Sequence, residues 1–292
     1  MNNKVRIIVD SAADVAENIK DKVTTLPMTL RFGETEYTDG VTITKHEFYE
    51  KLIESDALPT TSQIMPLAFE QAYKQALSKG EDVIVITLSS KLSGTYQSAL
   101  IAKDEVGADN IYVVDSLSVA VGEGILAERA VELMEEGKNA NEIAEVLTKE
   151  RENIRVIALL NTLEYLKKGG RISKTVAFAG EMLSIKPVVN IVNGEVNLLG
   201  KARGSKQGNN LLVKEIENAG GVDFEKPVLL GYTGLESTLL HKYIEDSRDL
   251  WKDYAEDLPY ALIGGIIGTH VGPGAVAVAF FKKQSISSMH WM

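Results

Sequence analysis

The residues with the clearest chemical potential lie in a loop between an apolar run and a predicted helix. Residues 83–88 form a continuous β-branched run, as in strands that are buried on both faces, and residues 96–106 have a helical pattern. Ser93, Gly94 and Thr95 therefore lie where backbone N–H groups and hydroxyls meet the positive end of a helix dipole. Such a loop binds a carboxylate or a phosphate. A Ser/Thr N-cap without any ligand explains the same residues equally well.

Polar pairs also stand at the ends of other predicted elements. They are Asp10-Ser11, Thr61-Ser62 and Asp115-Ser116. The first and last of these pairs follow short strands, and the middle pair precedes a predicted helix. Because the carboxyl ends of parallel strands form the ligand crevice of an open α/β sheet, several of these pairs are expected to cluster.

One histidine differs from the other three in its surroundings. His270 lies in residues 264–274, where five glycines and a proline permit positive φ and a close approach of the backbone. A ring in this setting can donate a hydrogen bond to an anion, and it is poorly placed for core packing. The four histidines lack the spacing of metal ligands, so we predict no metal site.

Common catalytic motifs are absent or misplaced. Residues 122–127 match the letters of a dinucleotide fingerprint, but they lie well after a predicted strand end and not in a tight βα turn. There is no Walker A loop, and a chain without cysteine has no thiolate metal site and no cysteine nucleophile. Ser93 lacks a G-x-S-x-G elbow, which leaves a Ser93-dependent hydrolase as the weaker alternative. We predict no catalytic residue and no cofactor.

The order of strand and helix patterns predicts an α/β fold with two domains. Residues 1–152 alternate strand and helix, as a parallel sheet requires, with residues 23–30 as one strand and Ser11 and Asp14 as a capping box. Residues 153–283 have shorter strands and an Asn193-Gly194 hairpin turn, which favour an antiparallel sheet. Residues 284–292 form a tail without a recognisable pattern, for which disorder is expected.

The charge distribution limits the possible partners. A net charge of −10 argues against a nucleic-acid-binding protein. Residues 165–206, here called the basic region, carry eight lysine and arginine residues against two glutamates. This region is interpreted as a docking face for an acidic partner or a phosphate, with solvated surface lysines as the alternative. No apolar run approaches the ~20 residues of a membrane span, and no signal peptide is visible, so a cytoplasmic protein is expected.

Several motifs together resemble the DegV family of bacterial fatty-acid-binding proteins, in the family's order from residue 5 to about residue 283. They are Asp10-Ser11, Thr61-Ser62-Gln63, residues 93–99, Asp115-Ser116, residues 163–172, Lys186-Pro187, and His270 with Gly272-Pro273-Gly274. The resemblance implies an α/β/α first domain with a parallel sheet and an α/β second domain with a mainly antiparallel sheet. It also implies one long-chain fatty acid buried between the two domains.

The resemblance assigns roles by motif position. Those for binding the fatty-acid carboxylate are Thr61, Ser62, Ser93, Gly94, His270 and Arg171, and those for partner docking are Arg203, Lys206 and Arg171. It implies a carrier that is not itself an enzyme. The carrier would present the carboxylate to a separate fatty-acid kinase, and the acyl phosphate would pass to an acyltransferase of phospholipid synthesis. Transient membrane contact is compatible with this role, and an integral membrane protein is not expected.

Three other functions remain open at this point. A small-molecule-binding subunit related to dihydroxyacetone kinases would hold a small polar ligand through a histidine. A lipid hydrolase would use Ser93 to cleave acyl esters. A regulatory protein would sense a lipid without handing it on.

Overall fold

The computed structural model describes residues 4–55, 57–172, 185–252, 254 and 257–283 of the 292-residue chain. Two charged residues of the basic region, Lys174 and Glu181, and the predicted tail at residues 284–292 lie outside the described residues. Within the described ranges, no helix is long and apolar enough to cross a bilayer.

Strands and helices alternate along most of this described chain. The strands are β1 (Lys4–Asp10), β2 (Val23–Leu26), β3 (Thr29–Phe32), β4 (Thr35–Thr38), β5 (Thr60–Ser62), β6 (Glu81–Thr87), β7 (Ile111–Asp115), β8 (Ile154–Leu159), β9 (Ile185–Val192), β10 (Glu195–Arg203), β11 (Val228–Tyr232), β12 (Tyr260–Leu262) and β13 (Val276–Phe281). The helices are α1 (Lys45–Glu54), α2 (Pro66–Leu77), α3 (Thr95–Val106), α4 (Val121–Glu135), α5 (Ala140–Glu150), α6 (Glu164–Lys168), α7 (Gly204–Asn218), α8 (Thr238–Asp246), α9 (Arg248–Trp251) and α10 (Gly265–Val271). Glu17–Lys22 and Arg151–Asn153 are 3₁₀ helices.

The first sheet is parallel and has the strand order β2-β1-β6-β7. Its two central strands are buried on both faces: Ile7 and Ile84 on one face and Ile8 and Val85 on the other are at most 1% exposed. Continuous apolar runs of this kind need helices on both sides of the sheet to exclude water. The parallel sheet predicted from the sequence is therefore confirmed.

A small antiparallel sheet with the order β4-β3-β5 differs from the prediction in two respects. The single strand predicted over residues 23–30 is wrong, because the chain leaves β2 at Leu26 and starts β3 at Thr29, with Pro27 between them. A proline cannot donate to a strand ladder, so it separates the two pairings. Thr61 also lies in a strand, β5, where it pairs with Leu30 of β3.

The second sheet has the order β10-β9-β8-β13-β11-β12 and is antiparallel except for the β11–β12 pair. The predicted hairpin turn joins β9 to β10. Asn193 and Gly194 have φ of 52° and 83°, the left-handed values that a two-residue hairpin turn needs. The α/β fold with one parallel and one mainly antiparallel sheet is therefore confirmed.

Helix α4 lies between the two sheets. It contacts β1 and β6 of the first sheet and β8, β11 and β13 of the second. All seven residues from Val121 to Ala127 are buried, Glu123 among them, because this helix packs against both sheets. The dinucleotide-like letters of residues 122–127 therefore belong to a core helix. The domain boundary at residue 152 stays a prediction, because α4 packs on strands from both sides of it.

The predicted capping box at Ser11 and Asp14 is wrong. The following 3₁₀ helix begins after Ala16, and no side chain caps it. Ser11 Oγ instead accepts a hydrogen bond from the backbone of Met28, and Asp14 Oδ1 accepts one from the backbone of Gly264. Both side chains satisfy backbone groups that are distant in the sequence, which local spacing does not reveal.

Asp10 is the buried carboxyl at the end of β1. It accepts backbone hydrogen bonds from Leu88 at 2.8 Å and from Ala12 at 3.0 Å, and burial raises its pKa to about 7 in spite of these bonds. The usual value in an unfolded chain is about 3.9. Between these two values the folded protein holds a proton that the unfolded chain releases, so the free energy of unfolding falls as the pH rises.

We predict that Asp10→Asn removes this pH dependence. From pH 4 to 7, the free energy of unfolding of the wild type should fall by about 1.4 kcal/mol per pH unit relative to the variant. Urea denaturation at several pH values measures the difference. Asp109→Asn, at an exposed loop position, is the matched control. Parallel curves for the wild type and Asp10→Asn would contradict the assignment.

Candidate functional site

A cavity of about 400 Å³ lies between the two sheets. Its apolar lining comes from the loops after β2, β6 and β7, from five strands of the second sheet or their flanks, and from α6 and α10. These residues are Met28, Leu88, Leu92, Val119, Ala120, Val156, Ala158, Leu160, Leu166, Val189, Ile191, Val196, Ile263, Ile266, Ile267, Val271, Ala275 and Ala277. A space of this size and lining suits an elongated apolar ligand.

Small side chains on one face of the second sheet make room for the cavity. Ala158 of β8 is paired with Ala277 of β13, and both residues line the cavity. Val276 and Val278 alternate with Ala277 along β13 and pack into a separate core on the opposite face. Because side chains alternate between the faces of a strand, this Ala/Val alternation places small residues on the ligand side only.

Polar residues from five separate segments line the same cavity, Asn190 of β9 among them. Those that the resemblance assigned to carboxylate binding are all present there: Thr61, Ser62, Ser93, Gly94, Arg171 and His270. Thr61 and His270 are 209 residues apart in the chain. The structure thus brings together every residue of that group, while their roles toward a ligand stay a prediction. Ser62 and Gln63 are exposed, so this polar group lies where the cavity reaches the surface.

Thr61 and His270 form the hydrogen bond at the centre of the polar group. Thr61 Oγ1 lies 3.0 Å from His270 Nε2, and the imidazole tautomer decides which of them donates. Burial, and secondarily the charge of Arg171, lowers the pKa of His270 to about 4. The ring is therefore neutral at pH 7 and has one N–H to donate. Its Nδ1 faces the backbone of Gly169, where any side chain would overlap the ring.

Ser93 and Gly94 stand at the start of α3, as predicted. The N-cap residue is Gly94, and no side chain caps this helix. Ser93 Oγ accepts a hydrogen bond from the backbone of Thr95 at 3.3 Å and lies 3.0 Å from Thr95 Oγ1. A side-chain N-cap, the alternative explanation of these residues, is therefore not what the structure shows.

Arg171 supplies the positive charge of the site. Its Nη1 donates to the carbonyl of Gly169 at 2.6 Å, and its Nε donates to the carbonyl of Leu92 at 3.3 Å. The two bonds join the turn after α6 to the loop before α3. They hold the guanidinium at the cavity, half-buried, where a carboxylate would pair with it.

Gln63 also lines the cavity, and the sequence did not assign it a role. Its Nε2 donates to Ser98 Oγ of α3 at 3.0 Å, and its side chain lies over Gly94 so closely that no Cβ would fit there. The sequence signal that could have identified Gln63 as a site residue was its position directly after Thr61-Ser62. Gln63 therefore connects the β5 segment to the start of α3.

The strand-end pairs Asp10-Ser11 and Asp115-Ser116 cluster but do not line the cavity. Asp115 Oδ1 accepts from the backbone of Ser90 at 3.1 Å, close to the loop that Asp10 binds through Leu88. The hairpin turn of the second sheet also reaches this crevice, where Ser89 Oγ donates to the carbonyl of Gly194 at 2.8 Å. The polar side chains at these strand ends are thus bonded to backbone groups of the protein itself, and the cavity lies beside them.

Arg203 and Lys206, the remaining predicted docking residues, lie outside the cavity lining. Both are exposed at the junction of β10 and α7, where Arg203 is the N-cap residue of α7. Arg171 is the only predicted docking residue that also reaches the cavity. Across the described ranges, no cluster of three or more His, Asp or Glu side chains is arranged to hold a metal ion.

Comparisons with known proteins agree with this architecture. A family model described as "Uncharacterised protein, DegV family" matches residues 4–283. A DegV domain-containing protein of Clostridium perfringens is 34% identical over 284 residues, which cover 96% of this chain and 99% of the relative.

Two solved structures share the fold over nearly the whole chain. One, described as showing fatty acid binding of a DegV family protein from Thermus thermophilus, has a TM-score of 0.84 and 30% identity and covers 95% of this chain and 99% of its own. The other, a stearic-acid-binding protein from Eubacterium ventriosum, has a TM-score of 0.86 and 26% identity and covers 96% of this chain and 98% of its own. On the family match and the similarity to the clostridial relative, the chain belongs to the DegV family.

Proposed function

We propose that this protein binds one long-chain fatty acid, with the acyl chain in the cavity and the carboxylate at the polar group around Thr61, Arg171 and His270. The observation that carries the proposal is the cavity itself, which is apolar along most of its lining and ends in hydroxyl, guanidinium and imidazole groups. The fatty-acid-binding relatives from Thermus thermophilus and Eubacterium ventriosum support the same ligand class.

The acyl chain supplies most of the affinity in this arrangement. At ~0.8 kcal/mol for each buried CH₂ group, a chain of about sixteen carbons gains on the order of 12 kcal/mol before the costs of association. The apolar side chains of the lining need no hydrogen bonds, so a hydrocarbon packs against them without a desolvation cost for polar groups.

The head group requires polar partners because it carries a charge. Charge-assisted hydrogen bonds are shorter and stronger than neutral ones, and Arg171 compensates the negative charge directly. Neutral His270 contributes an N–H, and the hydroxyls of Thr61, Ser62 and Ser93 contribute further donors. Since Ser62 is exposed, the carboxylate would remain accessible from outside.

We further propose that the protein is a carrier that presents this carboxylate to a fatty-acid kinase in the cytoplasm and passes the acyl phosphate to an acyltransferase. The resemblance to the DegV family is the basis for proposing these two steps. An accessible head group supports it, since a kinase must reach the carboxylate oxygen. Exposed Arg203 and Lys206 offer positive charge to an acidic partner surface.

Two alternatives receive less support from the geometry. A Ser93-dependent hydrolase needs a base beside the serine, whereas Ser93 Oγ contacts Thr95 and His270 contacts Thr61. A small polar ligand would leave most of the apolar lining without a partner. Ester cleavage that is lost in Ser93→Ala, or binding of a small polyol in place of a fatty acid, would favour these functions.

The first experiment is mass spectrometry of small molecules released from the purified protein by denaturation. We expect about one fatty acid per chain, and a much lower occupancy in Ala158→Leu, because the larger side chain fills part of the cavity. Ala57→Leu, at an exposed position, is the matched control with unchanged occupancy. No fatty acid in the extract, and no uptake of added palmitate or oleate, would refute the proposal.

His270→Ala should weaken binding of palmitate by about 10- to 100-fold, because a hydrogen bond to a charged group contributes about 1.5–3 kcal/mol. Binding of hexadecanol, which has the same chain without the carboxylate, should change much less. Titration calorimetry of both ligands measures the difference, and His241→Ala, at an exposed position of α8, serves as the control. An equal loss for the acid and the alcohol would argue against a head-group role.

Arg203→Ala should leave fatty-acid occupancy unchanged and slow phosphorylation by a purified fatty-acid kinase by about tenfold at low salt, because charges outside a binding site mainly affect the association rate. Formation of acyl phosphate with ATP is the measurement. Arg248→Ala, an exposed arginine outside the basic region, is the control. Equal turnover of the wild type and Arg203→Ala would contradict the docking role.

A further inference from the structure

An ion pair between the buried carboxyl of Asp14 and the partly exposed ammonium of Lys45 fixes the backbone just before α10, the helix that carries His270. Asp14 is only 1% exposed, and its Oδ1 accepts from Lys45 Nζ at 2.6 Å and from the backbone N–H of Gly264 at 2.9 Å. Lys45 Nζ also donates to the carbonyl of Leu262 at 2.7 Å. The pair therefore binds the backbone on both sides of Ile263.

The residues between these two points are bonded as well. The carbonyl of Ile263 accepts from Tyr49 OH at 2.8 Å, and its N–H donates to the carbonyl of Tyr232 at 2.8 Å. Asp39 is buried beside this segment: burial raises the pKa of its carboxyl to about 6, and the backbone of Gly265 opposes that rise. The three residues before α10 are thus bonded to α1, to β11 and to the loop that follows β1.

Helix α10 transmits this position to the cavity. A Cβ at Gly268 would lie 2.7 Å from Phe48 and from Tyr49, so α10 packs directly on α1 with no space between them. Six residues separate Gly264 from His270, or about 9 Å of helix at 1.5 Å per residue. A short helix behaves as a rigid rod, so a shift at Gly264 moves the imidazole relative to Thr61 Oγ1.

Neither Asp14 nor Lys45 lines the cavity, so an effect on a ligand acts through the backbone of residues 262–264 and through α10. Loss of the ammonium would leave the buried carboxylate of Asp14 without its counter-charge, and Leu262 would lose its donor. The segment would then have to rearrange to reach water or another partner. Displacements of about 1 Å at a binding group are enough to weaken its interactions strongly.

We propose that Lys45 and Asp14 are positioning residues that set the place of His270 for carboxylate binding. This inference rests on the proposed fatty-acid function and adds to it a specific dependence on two residues outside the cavity. The role predicts coupling: the effect of Lys45 on affinity should require both a carboxylate on the ligand and an imidazole at residue 270.

A double-mutant cycle tests this coupling with the full-length protein. Lys45→Met should weaken palmitate binding about tenfold in the wild-type background and less than about twofold in the His270→Ala background, because coupled residues give non-additive effects. Hexadecanol affinity should change less than about twofold in both backgrounds. Lys22→Met is the matched control, since Lys22 pairs with Glu135 at 2.6 Å and is exposed to a similar extent.

Each outcome decides the proposal. Additive effects, or an equal loss for acid and alcohol, mean that Lys45 contributes only to general stability, and the proposal is then wrong. Melting curves are recorded first, and Lys45→Gln, which keeps a neutral donor, replaces Lys45→Met if the latter does not fold. If neither variant folds, the pair is a folding requirement and the proposal is also wrong. If the wild type itself binds no palmitate, the proposed fatty-acid function is wrong, and the positioning role that rests on it is wrong as well.

Discussion

The hydrogen bond between Thr61 and His270 joins the two parts of the chain that make the site. Thr61 lies on a short strand of the small sheet, and His270 lies near the end of α10, 209 residues later. For a 3.0 Å contact to form over such a separation, the small sheet, α1 and α10 must all be placed correctly. Much of the structure around the cavity can be understood as what holds these two side chains together.

The cavity imposes a second requirement, because protein interiors are normally packed to the density of organic crystals. Apolar atoms that line a space without packing partners lose dispersion energy, which a ligand filling that space restores. Alanines at positions 158 and 277 create the space, while the valines of β13 pack normally on the opposite face. A ligand bound only by the folded state would therefore also stabilise the fold.

Much of the fold could be predicted from the sequence, and the failures have identifiable causes. Continuous apolar runs and the Asn193-Gly194 turn identified the parallel strands and the hairpin correctly, because these signals are local. Pro27 divides a run that looked like one strand. Ser11 and Asp14 have the spacing of a capping box, yet they bind backbone groups far along the chain. Long-range hydrogen bonds override local spacing wherever a buried group needs a partner.

The sequence by itself determined which residue types are available: hydroxyls before α3, a histidine among glycines, and a basic region in an acidic chain. Only the tertiary structure decided which of them meet. It placed Thr61, Arg171 and His270 on one cavity, left Arg203 outside it, and gave Asp10 and Asp115 to backbone groups. The physical reason is that chemistry depends on distances of a few ångströms, and packing between segments far apart in the chain sets those distances.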